Sequence, residues 1–330
     1  MRELLRWLRG TGAHPLEAGR AAAQPTPMAQ PGAATVSPRV LMITHDPVLR
    51  SQGGKTVKQH FGWNDSEGLA REYIQDVREV SYGYADYRIV EHVVVDGFPV
   101  KRDGFRYTEQ SYLEAWRQRR FHEPDGVDYL KLVEEFDLIG RINRDEIDEV
   151  WLFGHPYGGY YESIMGGPGA FWCNAPPLVG TEGAARRFVI MGFNFERGVG
   201  EMLEDLGHRA ESMLYKVFER TRGEANLFER FTRYDLKHPG RAEVGNVHFA
   251  PNSVRDYDWG NPRMVMSRCD TWLNFPDLSG AARPVNCREW GDGDIRAHHR
   301  WWFKRFPHIA GESDGISWNW WEYVIDPNRV

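Results

Sequence analysis

The chain has 330 residues, of which 41% are apolar and 27% charged, and its net charge is -6. That is enough chain for one large or two medium domains, and the acidic balance, with no long run of Lys or Arg, argues against a nucleic-acid binder, which needs a basic face for phosphate. No run of about 18 apolar residues occurs, so no membrane span is expected, and three cysteines are too few for a disulfide framework.

Residues 1–38 read as a short amphipathic helix followed by a flexible arm rich in Ala, Pro and Gln. Glu3, Arg6 and Arg9 interrupt the apolar "LLRWL", so the segment lacks the clean core of an export signal. A degenerate signal and a misassigned start both stay open, and the compartment with them, cytoplasmic or exported.

Order is expected to begin at Val40 to Thr44, a compact apolar run that suits a buried strand. Leu69, Tyr73, Ile74 and Val77 then follow a helical period, with Asp65 or Ser66 as the cap. "DYRIVEHVVVDGF" predicts a second strand. Leu130, Leu132, Val133 and Phe136 predict a helix, Val150 to Phe153 a strand, Phe188 to Met191 another, and Gly200 to Glu219 a further helix. Strands and helices alternating at these intervals predict an α/β domain over residues 39–235, a mostly parallel sheet with flanking helices.

From residue 236 the texture changes to Gly, Pro, Asn and Asp punctuation. The tail holds Trp301, Trp302, Trp318, Trp320 and Trp321. Residues 236–330 are expected to form an irregular, Trp-rich lobe packed on the α/β domain. Thirteen Trp, 14 Tyr and 17 Phe fill a core or line a groove for sugars and flat ligands. One bridge, Cys269 to Cys287, is possible, and no CxxC suggests a zinc knuckle.

Ligands of open α/β sheets bind beyond the carboxyl ends of the strands. The exits there carry His45 and Asp46; His155, Tyr157, Tyr160, Glu162 and Ser163; and Asn194, Glu196, Arg197 and Glu201. In the last predicted helix, Glu201, Glu204, His208 and Glu211 fall within an arc of roughly 80°, opposite Leu203, Leu206, Ala210, Leu214 and Val217. The row is either a solvated face with one His–Glu surface pair or a cleft-facing set that presents ligands to a divalent ion. Gly207, in mid-helix, suits the close approach of another group. His248 in "GNVHFAPN" is a candidate further ligand or an ordinary packed loop histidine.

Glu162 and Glu196 follow successive predicted strands and form a candidate acid–base pair of glycosidase type, with Trp172, Trp259, Trp318 or Trp320 as sugar platforms. The alternative is that these carboxylates pair with Arg197 or another cation. Ser163 sits in no GxSxG elbow, Cys173 reads as a small buried hydrophobe, and the glycine runs match neither nucleotide motif. Asp256 and Asp258 offer only a lone DxD spacing for calcium.

The expectation is therefore a hydrolase with a strand-end site. A divalent metal, zinc or similar, is held by His208, Glu204, Glu211 and His248. Glu162 or Glu196 moves the proton, and Arg197 or Tyr160 steadies the oxyanion. The substrate is a small molecule or a glycan. The rivals are a metal-free glycoside hydrolase and a non-catalytic protein that holds a glycan or aromatic ligand on exposed tryptophans.

Overall fold

The sheet is built from five short runs whose side chains alternate between two faces, as a strand period of two requires, and all but the edge run Arg88–Val95 are almost wholly buried. The computed structural model describes residues 34–330. The N-terminal arm of the sequence reading therefore lies mostly outside the described residues. Of its last residues, Val36 is bridged to Ala85, so ordered pairing begins before Arg39.

The elements follow in chain order as β1 (Arg39–His45), α1 (Ser66–Val80), β2 (Arg88–Val95), α2 (Glu109–Gln118), α3 (Tyr129–Glu135) and α4 (Leu138–Asn143). Then come β3 (Glu149–Gly154), β4 (Ser163–Gly166), β5 (Phe188–Asn194), α5 (Val199–Val217) and α6 (Ile295–Phe303). The strands lie in the order β2-β1-β3-β5-β4. The first four run parallel, and β4 is antiparallel to β5. The architecture is thus α/β with a mixed, mostly parallel sheet.

One face of the sheet carries Val40, Met42, Trp151, Phe153, Met191 and Phe193 and packs against α1 and α5. The other carries Leu41, Ile43, Val150, Leu152 and Ile190 and packs against α3 and α4. Asp65 caps α1 by accepting from the Gly68 amide, and Leu69, Tyr73 and Val77 bury its inner face. On α5, Leu203, Leu206, Ala210 and Leu214 are buried, each leucine contributing about 1.5–3 kcal/mol by leaving water.

The Trp-rich C-terminal residues enter the same core as α1, α5 and the first sheet face. Phe231 is met edge-on by Trp272, Trp302, Phe306 and Trp320. Two of the indoles are satisfied internally: Trp302 Nε1 donates to the Gly245 carbonyl and Trp272 Nε1 to Glu243. The expected tail is less irregular than its composition implied, since α6 and the hairpin His308–Ser313 with Ile316–Asn319 lie within it. Cys269 and Cys287 are free, buried thiols, so the possible bridge is not formed. Among the described residues no helix is long and apolar enough to cross a membrane.

Candidate functional site

The parallel strands β3 and β5 lie side by side, and their carboxyl ends open toward α5. A cavity of about 610 Å³ lies there, lined by His155, Tyr157, Tyr160 and Glu162 after β3 and by Asn194 at the end of β5. Glu201, Glu204 and Asp205 from α5 and Tyr257 from the C-terminal third complete its wall. Five carboxylates line it (Asp125, Glu162, Glu201, Glu204 and Asp205) against one guanidinium, Arg197. That charge disfavours phosphorylated or carboxylate-rich ligands.

The loop after β3 is held by a buried lysine. Lys101 Nζ donates to the Asp125 carbonyl, the Asp125 carboxylate and the Tyr157 carbonyl at 2.5–2.6 Å. Gly159, at φ +88, lies so close that a Cβ there would fall 2.0 Å from the Asp125 carbonyl oxygen, which is why this turn needs glycine. Tyr160 is turned inward, its hydroxyl 2.7 Å from His45 Nδ1. Burial, then Arg106, brings His45 down to about 4, so its imidazole is neutral near pH 7.

The His/Glu row of α5 faces inward at the edge of this cavity. His248 reaches it from the loop that crosses α5 at Gly207, where an added Cβ would meet Val247 Cγ2 at 2.7 Å. The close approach expected at that glycine is therefore made by the neighbour of His248. His208 Nε2 and His248 Nε2 are 3.0 Å apart. Glu204 Oε1 is 3.2 Å from the latter and 3.9 Å from the former. The circle through three atoms with these separations has a radius of about 2.0 Å, within the range of zinc–nitrogen and zinc–oxygen bonds of about 2.0–2.2 Å.

The outer edges of both rings face carboxylates. His208 Nδ1 is 3.4 Å from Glu211 Oε2, and His248 Nδ1 is 3.7 Å from Asp256 Oδ1. Glu211 also accepts from the Val247 amide at 3.2 Å, tying the His248 loop to α5. A ring whose Nδ1–H is directed at a carboxylate presents the Nε2 lone pair inward. For His208 this leaves Nε2 as an acceptor, while His248 Nε2 donates to Glu204 Oε1 at 3.2 Å, so the three atoms share that proton or a cation that replaces it. Burial lowers the basicity of His208, but Glu211, Glu162 and Glu204 outweigh it and the net shift is upward. Burial raises Glu204, but the hydrogen bond from His248 and the nearby imidazoles outweigh it and the net shift is downward.

The remaining predicted residues divide. Glu162 is brought to the trio, with Oε2 3.9 Å from His208 Nε2 and the Asn174 amide donating to it. Glu211 is placed behind the His208 ring, so it does not share the point on which the other three converge, and the four-ligand expectation becomes three ligands and a supporting carboxylate. Glu196 is exposed and is not part of the cavity wall, because the chain turns outward between β5 and α5. Of the two predicted carboxylates, only Glu162 lines the cavity. Arg197 is at the rim, 3.9 Å from Glu201. Ser163 is buried in β4, donating to the Cys173 carbonyl. Asp258 accepts from the Val254 amide and from Asn261 while Asp256 faces His248, so the two do not converge on one ion.

Sequence reasoning missed Tyr257, Asn174 and Asp205. Tyr257 packs its ring 4.5 Å from that of His248 and sits at φ +57, an uncommon backbone for a bulky residue. Burial, then Glu204 and Glu162, pushes its phenol up to about 12, so it stays a donor. Burial, then Glu162, Glu204 and Glu201, raises the Asp205 carboxyl well above the usual carboxylate range. Asp205 lies on α5 between two residues already singled out, and an aspartate in a helix face carries no local mark of that kind.

No protein-family model matches this chain, and no curated protein or solved structure proved similar to it.

Proposed function

We propose that Glu204, His208 and His248 hold a divalent cation, zinc or similar, and that the protein is a metal-dependent hydrolase whose substrate enters the acidic cavity beyond β3 and β5. The observation that carries this reading is the convergence of two imidazole nitrogens and a carboxylate oxygen on one point about 2.0 Å from each, with carboxylates behind both rings. Three protein ligands leave a position open, as catalytic rather than structural sites do. A cation there supplies Lewis acidity and an acidified water.

The chain's own groups then have defined tasks. Glu162, beside His208 and held by Asn174, accepts the proton of the attacking water. Asp205 in the cavity wall supplies a proton to the leaving group. Tyr257, kept as a phenol beside Glu204, donates to the developing oxyanion. The substrate is neutral or cationic at the bond cleaved, because the wall is acidic.

Protein purified without chelator is expected to carry one equivalent of a divalent metal and to hydrolyse members of an ester, amide and glycoside panel. Chelation abolishes turnover and re-addition restores it. His208→Ala and His248→Ala lose both metal and activity. Less than about a tenth of an equivalent with turnover intact removes the metal from the mechanism.

A further inference from the structure

A second cavity, of about 540 Å³, opens on the far side of His208 and is lined in part by Trp172, Asn174, Glu211, Ser212, Tyr215 and Lys216. Among the described tryptophans, Trp172 alone is exposed, at 59%, and Tyr215 is 51% exposed. The other described indoles are buried or half-buried, and of the exposed phenols Tyr157 and Tyr257 line the first cavity while Tyr82 stacks on His308. An indole left facing water beside an ionisable site marks a place where something else covers it.

Trp172 is also fixed relative to the trio. Two residues on, the Asn174 amide N–H donates to Ser212 Oγ at 3.1 Å, and that hydroxyl donates to the His208 carbonyl at 3.0 Å. The Asn174 side chain donates to Glu162, which lines the first cavity. The loop that carries the indole is therefore clipped to α5 at the metal-binding turn, and the two cavities meet at His208 and Glu162.

The lining selects the kind of group. A purely apolar ring would cover the amide of Asn174 and the charges of Glu211 and Lys216 without replacing their water, which is unfavourable. An anionic ring would face Glu211 and Glu219, with Lys216 already paired to Glu219 at 2.8 Å. A neutral ring with C–H faces and peripheral hydroxyls stacks on indole and phenol while its hydroxyls meet amide, hydroxyl and carboxylate. We propose that this second cavity is a subsite for a pyranose ring, seated on Trp172, so that the substrate of the hydrolytic site is a glycan carrying the bond to be cleaved. The link to cleavage rests on the hydrolase reading above; the sugar subsite itself does not.

The test is calorimetric titration of the full-length protein with neutral trisaccharides (chitotriose, cellotriose, xylotriose and maltotriose). At least one is expected to bind with a dissociation constant in roughly the micromolar to millimolar range. Trp172→Ala weakens that binding about tenfold or more, and Trp172→Phe weakens it less. Because Trp172 is exposed, both variants keep the wild-type circular dichroism and thermal midpoint. Folded His248→Ala, stripped of metal, still binds the trisaccharide without turning it over. That result separates the subsite from the hydrolase reading, since sugar binding then persists whatever the metal analysis returns. Absence of binding by all four trisaccharides, or equal binding by wild type and Trp172→Ala, overturns the subsite.

Discussion

His208 and His248, both half-buried, differ in kind from the buried His45, His155, His298 and His299 because each faces carboxylates on both edges of its ring. Glu211 is the more informative of the two supporting carboxylates, since it also holds the Val247 amide. Glu211→Gln keeps an oxygen for that amide but replaces the charge that orients the ring. The expected outcome is an intact fold with metal affinity lowered about 10- to 100-fold, as for other supporting carboxylates. Competition against a chromophoric chelator measures it, and an unchanged affinity would mean that Glu211 does not orient His208. At this scale the sequence was half legible. The i, i+4 spacing of Glu204 and His208 showed in the helical period. His248 was named as a candidate from its loop, but its reach to His208 was not legible, and Tyr257 and Asn174 arrive from loops that only tertiary contacts bring to the site.

At the scale of elements, α5 does two things at once: it fills the core and presents Glu204 and His208, the proposed ligands. Gly207 is where the two meet. Replacing it by Ala gains up to about 1 kcal/mol of helix propensity, but the added Cβ meets Val247 at 2.7 Å, and overpacking of this kind costs about 1–3 kcal/mol. The expected result for Gly207→Ala is a small net change in urea stability with a larger loss of metal affinity, because the loop bearing His248 is pushed away. Metal affinity unchanged beside a normal fold would break the link between this contact and the site. Two residues on, Arg209 is fully buried and pairs with Glu149 at the start of β3, 2.7 Å away. Arg209→Met leaves Glu149 charged and in the core, still receiving Trp151 Nε1. A loss of about 3–5 kcal/mol in a urea melt is expected, and a loss below about 1 kcal/mol would show that Glu149 is protonated or solvated in the variant. The periodic elements β1, α1, β3, β5 and α5 were readable from sequence because each has an apolar face, and β2 because it is rich in Val and Ile. β4 was not, being four residues between glycine-rich turns, and α6 was hidden because two histidines, His298 and His299, share its buried face with the aromatics of "IRAHHRWWF".

Across the whole molecule, the carboxyl edge of the sheet is where burial and titration are coupled. His45 and His155 leave β1 and β3 side by side in the fold and are both almost completely buried. Burial brings His155 down to about 3, against a small opposing effect of the Pro156 carbonyl, which its Nδ1 contacts at 3.1 Å. His45 is brought to about 4 by burial and Arg106. In the unfolded chain both titrate near 6.5. Between that value and their folded values the unfolded state binds more protons, so acid favours unfolding. Their neutral burial is therefore without penalty above about pH 6.5 and increasingly costly as pH falls toward 4. Each contributes a slope of up to about 1.4 kcal/mol per pH unit in that window. Urea stability of the metal-free protein is expected to fall from pH 6.5 to pH 4.5 with a slope exceeding one proton. Asp270, held near 2 against burial by Arg283 and Arg305, adds its own loss only below about pH 4. His155→Phe places a ring of similar shape among Phe98 and Tyr112, which pack around the imidazole at 5.0 and 4.6 Å. The variant should lose about one proton from the slope whatever its absolute stability. Identical slopes for the two proteins would mean that His155 is protonated or solvated in the folded state, and that the edge of the sheet beneath the cavity is wetter than its packing implies.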